Sequence, residues 1–360
     1  MKARLVMALG GLVAAAGVAL LCLTGCSNLA YYWQSATGHL GILSAARPLD
    51  EWLENPDAPE RLKARLALSQ RIRDFAVSEL KLPDNPSYRR YADLRRSAAI
   101  WNLVVAPKYS LTLKNWCFPV AGCVTYRGYY DLERARAEAA RYEEQGFDTS
   151  VYPVPAYSTL GLMNWAGGDP LLNTFIHYPE GELARLIFHE LAHQVLYVKN
   201  DTMFNESFAT AVERLGIARW LATHASPAAR EEYAQYDGRR RQFRALALVT
   251  RKRLEAVYAN TPEADLERMK QATLQEFRER YAQLRESWGS DPARWRGYDR
   301  WVAQANNAWF GAQAVYDELV PGFEALFERE GRDWTRFYAA VERLAALPKE
   351  GRHRALKENQ

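Results

Sequence analysis

The sequence predicts an α+β fold dominated by helices, in which a small β-sheet precedes a long helical region. The composition is that of a globular protein, with 48% hydrophobic and 25% charged residues in 360. β-branched and aromatic runs are confined to residues 99–158, whereas apolar residues recur at helical spacing from residue 181 onward. No internal repeat or low-complexity tract follows the first 26 residues, which excludes solenoid folds.

The charge balance indicates no strongly charged partner. Lys and Arg number 47 and Asp and Glu 43, giving a formal net charge of +4. We therefore expect no nucleic-acid partner. The basic stretch at Arg239–Arg241 is interleaved with Glu at helical spacing, so a solvated helix face explains it better than contact with anionic lipid.

Residues 1–25 have the pattern of an export signal. Lys2 and Arg4 precede the apolar run Leu5–Leu23, and small residues stand immediately before Cys26. This pattern resembles a bacterial lipoprotein signal peptide, which implies cleavage before Cys26 and lipidation of that residue. An uncleaved transmembrane anchor is the alternative, since 19 apolar residues can just span a bilayer. Both interpretations place the remaining chain in the periplasm, and Ser27 after the lipidated cysteine favours the outer membrane.

Cys117 and Cys123 are the cysteines outside this amino-terminal segment. In an oxidising compartment they are expected to form a disulfide, closing a small loop in which Pro119 and Gly122 allow a tight reversal. A two-cysteine metal site is the alternative. It is disfavoured because structural zinc sites usually have closer cysteines and further ligands nearby.

The rest of the chain is predicted as three regions: a helical amino-terminal region, 26–98; a core, 99–225; and a helical carboxyl-terminal region, 226–360. The first has one apolar face, comprising Leu62, Leu66, Leu68, Ile72, Phe75 and Leu80. The core begins as strand, strand, helix and strand, over Ala99–Val105, Val124–Tyr130, Asp131–Gln145 and Val151–Tyr157. The helices expected after it are Glu182–Val198, Asn205–Thr223, Pro227–Asn260, Pro262–Ser287 and Trp301–Glu330, the last with a break at Pro321 and Gly322.

An HExxH motif begins at His189. On a helix, His189 and His193 lie one turn apart on the same face, so both imidazoles can reach one metal ion. Glu190 lies beside them, where its carboxylate can contact water at the metal. A chance match is expected in on the order of 1% of chains. The motif is typical of the zinc-binding helix of zincins, so we expect Zn²⁺ as cofactor.

A catalytic zinc ion usually has three protein ligands, so a further ligand should follow the motif. Glu206 lies thirteen residues after His193, beyond a turn-like stretch, and a chain reversal of that length can return it to the metal. Glu213, two turns further along the same helix face, is the alternative. We favour Glu206.

His189–Gln194 together with Asn205–Ala209 resembles the HELAHQ and NEGFA pair of the zinc aminopeptidase family that includes aminopeptidase N, in the gluzincin group. More closely, the chain from about Tyr31 to about Phe323 resembles a family of bacterial lipoproteins described as zinc aminopeptidases. Further segments that carry this resemblance are Ser87–Arg89, Trp116–Cys123, Tyr126–Tyr129, Ala156–Gly161 and Asn306–Ala308.

The resemblance implies a zincin-like catalytic core, in which a small sheet, the HExxH helix and a second ligand helix are flanked by helical regions. It implies zinc on His189, His193 and Glu206, Glu190 as general base and acid, and a peptide substrate. Two features depart from the aminopeptidase N pattern. The spacing from His193 to Glu206 is shorter, and the chain has no GxMEN-like segment, whose acidic residue holds the substrate amine there.

Two further site hypotheses concern the substrate. Tyr316 is a candidate hydrogen-bond donor to the oxyanion, although a buried structural tyrosine is the favoured interpretation. Ala156, Tyr157, Ser158 and Thr159 end the last strand before the HExxH helix, where an edge strand could pair with the peptide backbone. A simple strand-to-loop turn is equally compatible with this segment.

The sequence thus predicts a zinc metallopeptidase in the cell envelope, attached to the membrane by its lipid, with aminopeptidase activity as the leading hypothesis. An endopeptidase or amidase acting on envelope or peptidoglycan peptides is the first alternative. A non-catalytic zinc-binding envelope lipoprotein is the second. Glu190 argues against the second, because a purely structural site has no need of it and normally fills its fourth position.

Overall fold

The computed structural model describes residues 30–118, 122–156, 158–289, 292–313 and 318–358. Cys26, Tyr157 and Tyr316 lie outside these residues. The fold is α+β and dominated by helices, as predicted. No helix in the described ranges has the length and apolar character needed to cross a membrane.

The helices are α1 (30–45), α2 (Leu49–Glu54), α3 (Glu60–Ser78), α4 (Leu132–Glu143), α5 (Glu180–Val195), α6 (Thr202–Thr223), α7 (Pro227–Asn260), α8 (Glu263–Glu286), α9 (Pro292–Ala303), α10 (Asn307–Gln313), α11 (Val320–Arg329), α12 (Trp334–Ala345) and α13 (Lys349–Lys357). The strands are β1 (Arg47–Pro48), β2 (Arg90–Ala92), β3 (Ile100–Pro107), β4 (Trp116–Phe118), β5 (Gly122–Val124), β6 (Arg127–Tyr129), β7 (Phe147–Val154) and β8 (Leu171–Leu172).

The largest sheet is antiparallel, with β3 between β6 and β7. Side chains alternate between its two faces. Leu103 and Val105 point to the face that packs on α4, where Ala135 and Ala139 are buried. Val104 and its neighbours on the other face pack against α10. Helix α10 covers only part of this second face. The part of the face that α10 leaves uncovered borders the site described below.

Helices α5 and α6 form the centre of the main hydrophobic core. Apolar side chains at helical spacing along α5, such as Leu183, Ile187 and Leu191, are fully buried. The helices approach closely at Gly216, where a Cβ atom would come within 3.0 Å of the Phe188 ring. Helices α3, α11 and α12 contribute to the same core, including the predicted apolar face of α3.

A separate aromatic core lies between α7, α8, α9 and α10. Phe243 packs edge-on against Trp309, and Phe277 packs edge-on against Phe310. Helix α7 is 34 residues long, and its buried residues, from Phe243 to Val257, lie in its carboxyl-terminal half. Its predicted bounds, Pro227–Asn260, are confirmed.

The predicted helix Trp301–Glu330 is wrong, because the chain forms three shorter helices there. The side-chain oxygen of Asn306 accepts a hydrogen bond from the Trp309 backbone N–H at 3.1 Å and starts α10 afresh. Pro321 was expected to break the helix, but it stands at the first turn of α11. Proline is favoured at that position, because its missing N–H has no helical partner there.

Two strand predictions need adjustment. The predicted strand Val124–Tyr130 is divided into the end of β5 and the whole of β6. The predicted strand Val151–Tyr157 corresponds to β7, which begins at Phe147 and ends at Val154. The proposed region boundaries at 98 and 225 stay predictions.

Candidate active site

The two histidines of the motif and Glu206 converge at one point between α5 and α6. The Nε2 atoms of His189 and His193 lie 3.2 Å apart. Glu206 Oε2 lies 3.4 Å from His189 Nε2 and 3.7 Å from His193 Nε2. All three ligand atoms fall within 4.8 Å of one another. This spacing leaves room for one cation between them, and two nitrogens with one carboxylate oxygen are a donor set that zinc accepts.

The connection between α5 and α6 positions Glu206. Asn205 is 1% exposed, and its side-chain amide donates to the Val198 carbonyl while its oxygen accepts from the Val198 N–H, both at 2.8 Å. Helix α6 begins at Thr202, three residues earlier than predicted, because the Asp201 side chain caps it. Glu206 consequently lies in the second turn of α6, facing α5.

Glu213 lies behind His189 and does not join the three converging atoms. Its Oε2 is 2.8 Å from His189 Nδ1, and its Oε1 accepts from Arg185 at 2.7 Å. A carboxylate at Nδ1 fixes the tautomer that leaves Nε2 unprotonated, as required for a ligand. The alternative third ligand of the sequence analysis therefore has the geometry of an orienting residue. His193 differs, because its buried Nδ1 has no hydrogen-bond partner among the described residues.

The electrostatics of the cluster favour a bound cation. Burial alone would raise the pKa of Glu206, but His193 and His189 outweigh burial and hold it well below its usual value. Burial of Glu213 is likewise outweighed by Arg185 and His189, which lower its pKa to about 2. Although burial opposes protonation of His189, both carboxylates raise its pKa. Two ionised carboxylates beside two imidazoles attract positive charge, whether it is a proton or a metal ion.

A cavity of about 720 Å³ opens beside this cluster. Side chains on one face of the sheet line it, among them Asn102 of β3 and Tyr152 of β7, which are paired in the sheet register. Ser150 and Val154, each two residues from Tyr152, line it too, as the alternation of a strand requires. The sheet therefore forms a wall along which an extended chain could lie.

Glu190 faces this cavity from α5 and is half-buried. It forms no hydrogen bond or ion pair with any residue that the structure describes. A carboxylate without a competing partner beside the cluster of His189, His193 and Glu206 can accept a proton from water in the cavity. Its position agrees with the expected role of a general base.

A family model described as "Putative aminopeptidase" matches residues 30–356. The chain belongs to this family. No curated protein and no solved structure matches the chain. Membership of an aminopeptidase family indicates a peptidase with a peptide substrate.

In this aminopeptidase family member, five tyrosines that were not predicted as site residues line the cavity: Tyr31, Tyr126, Tyr130, Tyr152 and Tyr197. Burial and the negative charge of Glu206 raise the pKa of Tyr126, so its hydroxyl stays protonated and can donate a hydrogen bond. Tyr126 appeared in the sequence only within a segment that carries the family resemblance. The predicted oxyanion donor, Tyr316, lies outside the described residues.

The predicted substrate segment is divided between two environments. Ala156 and Ser158 line the cavity, whereas Tyr157 lies outside the described residues. The Thr159 N–H donates to both carboxylate oxygens of Asp169 at 3.0 Å, so it is not available to a peptide. Strand β7 ends at Val154, before this segment begins.

A buried polar network adjoins Glu190 and was missed in the sequence. Tyr88 is 1% exposed, has a φ of 64°, and its hydroxyl has no hydrogen-bond partner among the described residues. Its N–H donates to the Asp169 carbonyl at 2.7 Å. Burial raises the pKa of Asp169 to about 6, and the charge of Glu190 adds to the increase. A positive φ in a buried tyrosine marks strain, which often accompanies functional sites.

The sulfur atoms of Cys117 and Cys123 are 1.97 Å apart, at disulfide-bonding distance. They join β4 and β5, and the backbone N–H of Cys123 donates to the Asn200 side-chain oxygen at 2.9 Å. At Gly122, φ is 76° and a Cβ atom would meet the same oxygen at 2.5 Å, so glycine permits this approach. The hairpin thus contacts the connection between the two ligand helices.

Proposed function

We propose that this protein is a zinc-dependent metallopeptidase of the cell envelope, with aminopeptidase activity as its leading assignment. The observation that carries the proposal is the convergence of His189 Nε2, His193 Nε2 and Glu206 Oε2 within 4.8 Å of one another. Three protein ligands with one position left open are typical of catalytic rather than structural zinc sites. Membership of an aminopeptidase family supports the peptidase assignment.

The roles of the residues follow from their contacts. When bound, Zn²⁺ would act as a Lewis acid on the scissile carbonyl and lower the pKa of water. Glu190, which has no other partner among the described residues, accepts a proton from the attacking water and delivers it to the leaving amine. Glu213 holds His189 in the ligating tautomer. No covalent intermediate with the protein is required.

An endopeptidase is the second candidate, and one observation favours it. The carboxylates among the described residues that line the cavity are those of Glu190, Glu206 and Glu213. Each already has a role in the metal cluster or in proton transfer. None is left over to bind a free substrate amine, and the sequence lacks the acidic segment that does so in the aminopeptidase N family.

The location of the protein is part of the proposal. We propose that Cys26 is lipidated after removal of residues 1–25, and that the chain faces the periplasm from the outer membrane. The support comes from the sequence: a positive start, the apolar run Leu5–Leu23 and small residues before the cysteine. The Cys117–Cys123 pair is compatible with an oxidising compartment.

The test is cleavage mapping by mass spectrometry on a mixed peptide library with free and acetylated amino termini. The enzyme is the chain from Ser27 onward, compared with Glu190→Gln and with Glu133→Gln, a matched change at an exposed glutamate on α4. Loss of general-base catalysis should lower kcat/KM at least 100-fold in Glu190→Gln and leave Glu133→Gln unchanged.

The products distinguish the candidates. Removal of single residues from free amino termini alone would establish an aminopeptidase, whereas internal cuts in acetylated peptides would establish an endopeptidase. Equal cleavage by wild type and Glu190→Gln would refute the mechanism.

A further inference from the structure

The outer face of α1 carries no charge. Residues 30–46 contain no Asp, Glu, Lys or Arg, and burial lowers the pKa of His39, so that this imidazole stays neutral near pH 7. The inner face packs on the sheet, where the Gln34 side chain bonds to Gly128 and Tyr130. A helix exposed to water normally presents charged residues on its outer face. The composition of α1 is therefore unusual for a helix that faces solvent alone.

Large apolar side chains occupy this uncharged face. Trp33 is 70% exposed and Leu40 is 61% exposed. They are seven residues apart, which places them on the same side of the helix, two turns from each other. Tyr32, at the edge of this face, is 41% exposed.

A second segment with exposed apolar side chains is linked to α1. In the loop after β7, Leu162 is 59% exposed and Trp165 is 82% exposed. The guanidinium of Arg90 connects this loop to α1, because it donates to the carbonyls of Ala166 and Leu43, each at 3.4 Å. Trp165 immediately precedes Ala166, and Leu40 lies one helical turn before Leu43, so one arginine side chain links the two segments that carry them. We call Trp33, Leu40, Leu162 and Trp165 the apolar patch.

We propose that the apolar patch rests on the surface of a lipid bilayer. Helix α1 begins four residues after Cys26, a distance of at most about 14 Å for an extended chain. A lipid on Cys26, or the run Leu5–Leu23 retained as a span, would each hold the start of α1 at the membrane. Tryptophan is enriched at the membrane interface, and an uncharged face avoids the cost of dehydrating charges there.

A protein partner is a weaker explanation of the patch. A standard protein interface covers about 800 Å² on each partner, more than four side chains supply by themselves. Contact with a bilayer requires no complementary protein surface. The proposed membrane attachment upstream of α1 would also keep this helix close to the bilayer. The proposal does not depend on the peptidase assignment, because it concerns a surface outside the metal cluster.

The patch also bears on the approach to the active site. Ser158 and Leu160, in the same loop as Leu162 and Trp165, line the cavity beside Glu190. A bilayer in contact with the loop would therefore lie near one wall of the cavity. Substrates close to the membrane would meet the enzyme in a fixed orientation.

The test is vesicle flotation with the chain from Ser27 onward, which keeps all described residues and lacks the lipid. Vesicles contain phosphatidylethanolamine and phosphatidylglycerol in a 3:1 ratio. The test variant is Trp33→Gln/Trp165→Gln, and the matched control is Leu248→Gln/Val249→Gln, which removes two exposed apolar side chains from α7. Thermal melting of each protein verifies that it is folded.

We expect wild type and control to float with the vesicles, and the bound fraction of the tryptophan variant to fall at least tenfold. Failure of the wild type to bind, or equal binding by the tryptophan variant, would overturn the proposal. Sedimentation without lipid gives a further test. A wild-type dimer that Trp33→Gln/Trp165→Gln abolishes would also overturn the proposal, since the patch would then be a protein interface. The proposal rests on the membrane attachment proposed above for the amino terminus. Flotation requires neither zinc nor catalysis, so its failure would be distinguishable from failure of the proposed peptidase activity.

Discussion

At the scale of single residues, two glutamates on one helix face have different surroundings. Glu206 points to the Nε2 atoms of both histidines, whereas Glu213 contacts Nδ1 of His189 and Arg185. Sequence spacing placed both on one face of α6 and favoured Glu206 as the ligand, but it gave no role to Glu213 other than that of an alternative ligand. The difference depends on how α5 and α6 pack, and the HExxH pattern contains no information about that packing.

Substitution of these glutamates should separate ligand from orienting residue. Glu206→Ala should lose bound zinc, because it removes a direct ligand. Glu213→Ala should still bind zinc, but with an affinity lower by about 10- to 100-fold, as expected when an orienting carboxylate is removed. Competition with a chromophoric chelator measures both affinities. Retention of tight binding by Glu206→Ala together with loss in Glu213→Ala would show that the roles are reversed.

Other residues at the site received no role from the sequence, and Ser87 and Tyr88 appeared only within a segment that carries the family resemblance. The Asp169 backbone N–H donates to the Ser87 hydroxyl, 82 residues away along the chain, and the Asp169 carboxylate accepts from the Thr159 N–H. The strained backbone at Tyr88 depends on the same tertiary contacts. Motifs at fixed spacing, such as His189 and His193, are visible because a single helix brings them together.

At the scale of elements, the connection between α5 and α6 is held at several points. Asn205 binds Val198 within it, Asn200 binds the hairpin of β4 and β5, and the Asp201 side chain caps α6. Helix periodicity predicted the two helices well. The end of α9 and the new helix start after Asn306 were not predicted, because nothing in the sequence distinguishes a capping asparagine from other polar residues in a helical pattern.

Removal of the cysteine pair should destabilise the fold measurably. The two cysteines are six positions apart, and closing so small a loop stabilises a protein by about 2 kcal/mol through the unfolded state. Cys117→Ser/Cys123→Ser should lower the free energy of unfolding in urea by that amount. Dithiothreitol should have the same effect on wild type and none on the double variant. An equal response of both proteins to dithiothreitol would mean that the disulfide is not the cause.

At the scale of the whole molecule, distant parts of the chain share one core. Buried residues from Ile42 to Leu356 belong to the cluster around α5 and α6, while α7 to α10 form the second cluster. The fold class followed from composition and periodicity, which are properties of local sequence. Which distant segments pack together could not be predicted in this way, because residues that are buried against each other but lie hundreds of positions apart leave no local sequence pattern.

Global stability should carry a pH signature from Asp169. Burial raises its pKa from 3.8 to about 6, with Glu190 adding to the increase and the Thr159 N–H opposing it. Tyr88 also faces this carboxyl group. Between pH 3.8 and about pH 6, the Asp169 carboxyl group is ionised in the unfolded chain but still protonated in the folded protein. Asp169 therefore favours the folded state below pH 4, and on the order of 3 kcal/mol of that stability is lost as the pH rises through 6.

Urea unfolding of wild type and Asp169→Asn at pH 4, 5, 6 and 7 measures this contribution. The free energy of unfolding of wild type minus that of Asp169→Asn should fall across this range, since the variant cannot titrate at this position. Asp57→Asn, at an exposed aspartate, is the matched control. A difference that does not vary with pH would show that Asp169 has an ordinary pKa.

The contact between Asp201 and α13 has a consequence for biosynthesis. Asp201 is 2% exposed, and His353 Nε2 lies 2.9 Å from its Oδ1, with Arg352 3.5 Å from its Oδ2. His353 is 152 residues further along the chain, so it leaves the ribosome well after both ligand helices. Until then a buried Asp201 would lack these two partners, which is costly for a carboxylate. The cluster of His189, His193 and Glu206 is therefore expected to become rigid late, when translation has reached α13. In a nascent chain that stops earlier, the two helices that carry this cluster would be only loosely fixed.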